Sequence, residues 1–91
     1  MKGYELYSWQ QNGQWMFSLL VGTNRQKTMD EIKSSQATLT LEMLKTTLQS
    51  LPAGETILWL EREGLTIPTS EPLSEIQYLC LTLSLRLEFE K

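Results

Sequence analysis

The chain has 91 residues, of which 41% are hydrophobic and 21% charged, and its formal net charge is -3. This length leaves no room for two hydrophobic cores and the composition excludes disorder, so we expect one compact domain spanning residues 1–91. The acidic balance disfavours nucleic acid as a partner, because affinity for a phosphate backbone comes mainly from basic side chains.

Two apolar-rich runs between Tyr4 and Val21 flank the dipeptide Asn12-Gly13, and this pattern predicts a β-hairpin. A two-residue type I′ turn needs positive φ at both central positions, and Asn-Gly adopts that conformation most readily. Such a turn also sets the strand register and places Trp9 opposite Met16.

Opposed residues share a sheet face, so the register divides the hairpin into two faces. We expect the more apolar face, which carries Trp15 and Phe17, to be covered by helices. The other face is mixed in character, yet it contains a cluster of large apolar side chains: Tyr7, Trp9, Met16 and Leu20.

Helix signals follow the hairpin. The spacing Thr28-Met29-Asp30-Glu31 is that of a capping box and predicts a short helical turn through Ile32. Thr40 is a good N-cap for a longer helix in which apolar residues recur at helical spacing, and residues 52–54, Pro-Ala-Gly, predict its end.

Residues 56–60 are apolar on both faces, as in a strand inside a sheet, and their position after a helix predicts a parallel crossover. Residues 61–64 predict a turn. Alternating leucines after Leu79 fit both a helix and a strand, so we place a helix at 71–81 and a strand at 84–90, although no Gly, Pro or Asn marks the change.

The predicted order is β-β-α-β-α-β. Right-handed crossovers would place both helices on one face of a four-stranded mixed sheet. The predicted fold class is therefore α+β, a two-layer sandwich.

The sequence lacks the residues that most catalytic and metal sites need. It contains no histidine, which removes the commonest general base and zinc ligand, and its one cysteine, Cys80, cannot form an intramolecular disulfide or a cysteine-rich metal site. Pairs of carboxylates such as Glu61/Glu63 are typical of solvent-exposed surfaces and do not by themselves indicate a catalytic site. We expect a protein that is not an enzyme and that holds no metal and no cofactor.

The N-terminus lacks the apolar run of a secretory signal, and no stretch approaches 18 apolar residues in succession. We therefore expect a cytoplasmic protein that does not associate with a membrane.

Residues 22–28 suggest one ligand site, because two cations and several hydrogen-bond donors follow a predicted strand directly. Together with the free N–H groups of a helix capped by Thr28, these side chains could hold a phosphate or a carboxylate. Binding of an anionic ligand or of nucleic acid through this loop is therefore the alternative function. The alternative is a polar loop with ordinary surface ion pairs. The candidate anion-binding residues are Thr23, Asn24, Arg25, Lys27 and Thr28.

The aromatic sheet face is the stronger functional hypothesis. The third strand must add either Ile57 and Trp59 or Leu58 and Leu60 to it, and we include Trp59 among the expected contact residues. An apolar cluster of this size predicts a protein-interaction or regulatory module that forms a homodimer or docks on another protein. In the alternative, the chain itself covers this face and makes it a second small core.

Aromatic sheet faces also stack nucleic-acid bases in RRM-type domains. The acidic residues Glu88 and Glu90 beside Arg86 argue against that function here, because the sheet would lack an electropositive groove.

Overall fold

The computed structural model describes residues 3–21, 38–69 and 71–90. Within these ranges the chain forms a mixed five-stranded sheet and two helices. In chain order they are β1 (Tyr4–Gln11), β2 (Gln14–Val21), β3 (Thr38–Leu39), α1 (Leu41–Gln49), β4 (Thr56–Leu60), α2 (Glu71–Thr82) and β5 (Arg86–Glu90). The sheet order is β3-β2-β1-β4-β5; β1 pairs with β2 and β2 with β3 in antiparallel fashion, whereas β4 is parallel to both β1 and β5.

The hairpin is confirmed in both its turn and its register. Asn12 and Gly13 have φ values of 54° and 76°, as a type I′ turn requires. Trp9 lies opposite Met16, and Phe17 lies opposite Ser8. The local preference of two residues therefore determines which side chains of β1 and β2 share a face.

The predicted number of strands was wrong, because β3 adds a fifth to the sheet. Thr38 and Leu39 pair with Ser18 and Phe17 of β2. Two residues are too short to produce a readable alternation, so the sequence gives no sign of this strand. The predicted helical turn at 28–32 lies outside the described residues.

The start of α1 follows the sequence prediction. Thr40 Oγ1 accepts a hydrogen bond from the backbone N–H of Met43 at 3.3 Å, which satisfies one of the free donors at the helix start. Leu44 and Leu48 are fully buried beneath α1. Lys45 of the same helix forms an ion pair with Glu75 of α2.

The change from α2 to β5 occurs at Ser84, which has a φ of 60°. The N–H of Leu85 donates to the carbonyl of Cys80 at 2.8 Å, and the N–H of Ser84 donates to Leu81 at 3.2 Å. These two bonds form a Schellman motif, whose left-handed position is usually glycine. Serine occupies this position here, which explains why no glycine marks the change from helix to strand in the sequence.

Both α1 and α2 pack on one face of the sheet, as predicted. The main core on this face contains buried residues from the sheet, from both helices and from the two connections that flank α2: Leu6, Phe17, Leu44, Leu48, Ile57, Trp59, Ile67, Ile76, Cys80 and Leu85. The rings of Phe17 and Trp59 lie 6.2 Å apart at its centre. Neither α1 nor α2 is long and apolar enough to cross a membrane.

Candidate interaction site

The sheet face opposite the helices, here called the second face, carries the aromatic cluster that the sequence singled out. Tyr7 and Trp9 form a small core there with Leu60 and Leu65, and Met16, Leu20 and Leu58 pack against it. Only 5% of Tyr7 and 2% of Trp9 remain exposed. These exposures agree with the alternative in which the second face forms a second small core.

Trp59 does not belong to the second face, so its assignment there was wrong. It is fully buried in the main core, and Leu58 and Leu60 occupy the second face instead. The parallel pairing of Trp59 with Leu6 of β1 decides this, because laterally adjacent residues share a face. Both faces of β4 are apolar, so the sequence alone left the choice open.

The polar groups of the buried aromatic residues are satisfied within the chain. The Tyr7 hydroxyl donates to Glu5 Oε1 at 3.1 Å, and the Trp9 indole N–H donates to Gln11 Oε1 at 3.3 Å. Burial, followed by the charge of Glu5 and the hydrogen bond to it, raises the pKa of Tyr7 to about 12. Tyr7 and Trp9 thus have little surface left to offer a partner.

The predicted anion site falls outside the described residues. This holds for Thr23, Asn24, Arg25, Lys27 and Thr28 alike, so anion binding at 22–28 stays a prediction.

Cys80 lies in the main core, and burial raises the pKa of its thiol to about 11. A neutral buried thiol is a poor nucleophile. Within residues 3–21, 38–69 and 71–90, no three Asp, Glu, Cys or His side chains are grouped so that they could hold a metal ion.

A site that the sequence prediction missed lies at the free edge of β5. In the part of the chain that is described, β5 has a strand neighbour on one side only, β4. Arg86 N–H donates to Glu55 at 2.8 Å, and the carbonyl of Glu90 accepts from Glu61 at 2.9 Å. Because backbone groups alternate in direction along a strand, those of Leu87 and Phe89 point away from β4.

Exposed apolar side chains accompany this edge. Leu81 of α2 is 76% exposed, and Phe89 of β5 is 40% exposed. Between α2 and β5 lies an open groove of ≈ 280 Å³, which Leu81, Leu87 and Phe89 help to line. We call the outward edge of β5, together with Leu81, Leu87 and Phe89, the β5 edge surface.

The ring of Phe89 packs against an aromatic residue of the main core. It stacks on the ring of Trp59, with centroids 5.9 Å apart and an interplanar angle of 20°. Phe89 also lines a second hollow of ≈ 350 Å³, together with Pro68 and Leu73. The ring of Phe89 is therefore packed against the protein on one face while the side chain stays partly exposed.

The charged residues of β5 lie on the second face. Arg86 and Glu88 are exposed and form no ion pair with any described residue. Glu90 differs, because its Oε1 lies 3.6 Å from Nη2 of Arg62. The alternation of charged and apolar residues here is typical of an edge strand. That signal was visible in the sequence, but the exposure of Tyr78 and Leu81 depends on how α2 sits on the sheet.

No family model matches the chain, and neither a curated protein nor a solved structure matches it.

Proposed function

We propose that the chain is a non-enzymatic protein-interaction module whose binding element is the β5 edge surface. The observation that carries this proposal is the coincidence of two features in one place: outward-pointing backbone groups on Leu87 and Phe89, and large exposed apolar side chains beside them. The surface thus replaces the aromatic cluster of the second face as the expected point of contact.

An edge strand with free N–H and C=O groups can accept an extended segment of another chain as a further strand. The main-chain hydrogen bonds supply affinity, and the side chains beside the strand supply specificity. At the opposite end of the sheet, β3 is only two residues long. In the described sheet, β5 is therefore the edge better suited to strand addition.

The apolar side chains add a driving force that edge pairing alone lacks. Burying a large apolar side chain that was exposed contributes about 1.5–3 kcal/mol. Leu81 protrudes from α2 and is not part of the main core, and the ring of Phe89 stacks on that of Trp59. Aromatic residues that lose little freedom on binding are typical contact residues at protein interfaces.

The surrounding chemistry favours a protein partner. Arg86 is flanked on its face by Glu88 and Glu90, so this surface offers no continuous positive charge to a phosphate backbone. The buried thiol of Cys80 is held in its neutral form. These features support non-covalent binding to a protein rather than catalysis.

Photo-crosslinking in living cells tests the proposal. A benzoylphenylalanine at position 81 of the full chain should form covalent adducts with protein on irradiation, because Leu81 lies in the β5 edge surface. The same group at position 43 is the control, since Met43 is half exposed on α1, away from β5. The absence of protein adducts at 81, or equal yields at both positions, would contradict the proposal.

A further inference from the structure

We propose that the partner at the β5 edge surface is a second copy of this chain, and that the two β5 strands pair antiparallel about a two-fold axis at Leu87. This inference rests on the proposed function and names its partner. It would join two five-stranded sheets of the described fold into one continuous sheet.

Backbone geometry restricts the register. A two-fold axis perpendicular to the sheet keeps each face continuous, so opposed residues must belong to the same face of β5. With the axis at Leu87, this residue exchanges hydrogen bonds with Leu87 of the second copy. The Phe89 N–H then donates to the carbonyl of Leu85, whose own N–H is already bonded to Cys80.

The charges of β5 are complementary in this register. Arg86 of each copy lies opposite Glu88 of the other, at the closely spaced positions between the hydrogen-bonded pairs. Neither side chain has an ion-pair partner among the described residues of its own chain. Pairing with a second copy would give each of these side chains one partner, so the dimer would contain two such ion pairs.

The other registers that keep the faces matched bring like charges together. An axis at Arg86 would place this residue opposite its own counterpart, and an axis at Phe89 would place Glu88 opposite Glu90. An axis at Glu88 would place this carboxylate directly opposite Glu88 of the second copy, and like charges in opposed positions are destabilising. It would also place Arg86 opposite Glu90, which already lies near Arg62. Charge therefore selects Leu87 as the centre.

The apolar side of the same pairing is also self-complementary. Leu87 meets its own counterpart, and Phe89 lies opposite Leu85 of the second copy. Leu81 of α2 lines the groove beside these residues, so the two α2 helices would flank the axis with their exposed apolar side chains facing each other. A contact of this kind buries most of the β5 edge surface in one step.

Charge reversal in the full-length chain tests the pairing and its register. Arg86→Glu and Glu88→Arg each turn both attractive pairs into repulsive ones and should raise the dimer dissociation constant about tenfold or more. The double variant R86E/E88R restores attraction and should recover the dimer. A mixture of the two single variants should form a heterodimer, since each carries the charges that the other lacks.

Sedimentation velocity over a concentration series, from about 1 µM to 1 mM, provides the measurement. Glu63→Arg is the matched control, because it makes the same charge change at an exposed turn position. Circular dichroism verifies that every variant is folded. The control should dimerise like the original chain.

The outcomes separate this inference from the proposed function. A chain that stays monomeric at every concentration overturns self-association, while specific crosslinks from position 81 to another protein would still support an interaction module. If the single variants dimerise with the dissociation constant of the original chain, the interface does not lie at β5. If the single variants lose dimerisation and the double variant does not recover it, the register centred on Leu87 is wrong.

Discussion

The indole N–H of Trp59 donates a hydrogen bond to Ser8 Oγ at 3.0 Å, and Ser8 Oγ in turn donates to the carbonyl of Thr66 at 2.6 Å. The N–H of Thr66 donates back to the carbonyl of Ser8 at 2.8 Å. One buried hydroxyl thus joins β1, β4 and the connection that follows β4. Without it, the largest side chain of the main core would bury an unsatisfied donor.

We expect Ser8→Ala to lower the free energy of unfolding by about 2–3 kcal/mol, because both the Trp59 N–H and the Thr66 carbonyl would lose a partner in the interior. Ser18→Ala is the matched control. Ser18 is equally buried, but its hydroxyl has no hydrogen-bond partner within the described residues, so its removal should be neutral or stabilising. Urea denaturation followed by tryptophan fluorescence measures both. Equal losses in the two variants would contradict this account.

Substitution by glutamate should destabilise the protein strongly at Trp9 and hardly at all at Leu81. Trp9→Glu places a charge in a small buried core and should cost more than about 3 kcal/mol, enough to unfold much of the protein. Leu81→Glu changes an exposed position and should alter stability by less than about 0.5 kcal/mol. Thermal denaturation compares them.

Leu81→Glu should also weaken any contact made through the β5 edge surface. A folded Trp9→Glu variant would show that the second face is not closed, and would restore the aromatic cluster as the contact surface.

Ser84→Gly should stabilise the protein by up to about 1 kcal/mol. Its φ of 60° lies in the left-handed region, where serine is disfavoured and glycine is not. Ser50→Gly is the control: Ser50 has a φ of -91° and its hydroxyl donates to Thr47, so glycine gains nothing there. Chemical denaturation of both variants gives the comparison, and stabilisation by Ser50→Gly alone would contradict the Schellman assignment.

Stability should fall as the pH rises from about 10 to about 12. In this range the Tyr7 hydroxyl ionises in the unfolded chain but stays protonated in the folded one, because burial and Glu5 raise its pKa to about 12. The folded state therefore binds more protons, and the sign of the linkage is a loss of stability with rising pH.

We expect the loss at Tyr7 to be about 1–2 kcal/mol, less than the full shift allows because Glu5 is only half-buried. Urea denaturation at a series of pH values measures it. Tyr7→Phe should flatten this dependence, and Tyr78→Phe, which removes an exposed hydroxyl, should not. An unchanged slope in Tyr7→Phe would show that another group is responsible.

Short-range features could be predicted from the sequence because they depend on a few adjacent residues. Asn12-Gly13 determined the turn and register of the hairpin, and Thr40 marked the start of α1. The parallel crossover to β4 also followed, since a helix between two strands allows few topologies.

What only the tertiary structure decided was how these elements meet. The lateral pairing of Trp59 with Leu6 chose between two equally apolar faces of β4, and the packing of α2 left Leu81 exposed beside the edge of β5. Neither outcome is encoded in a local pattern, because residues far apart in the chain compete for the same buried space. The candidate site followed from that competition, which is why hydrophobicity in the sequence pointed to the second face rather than to β5.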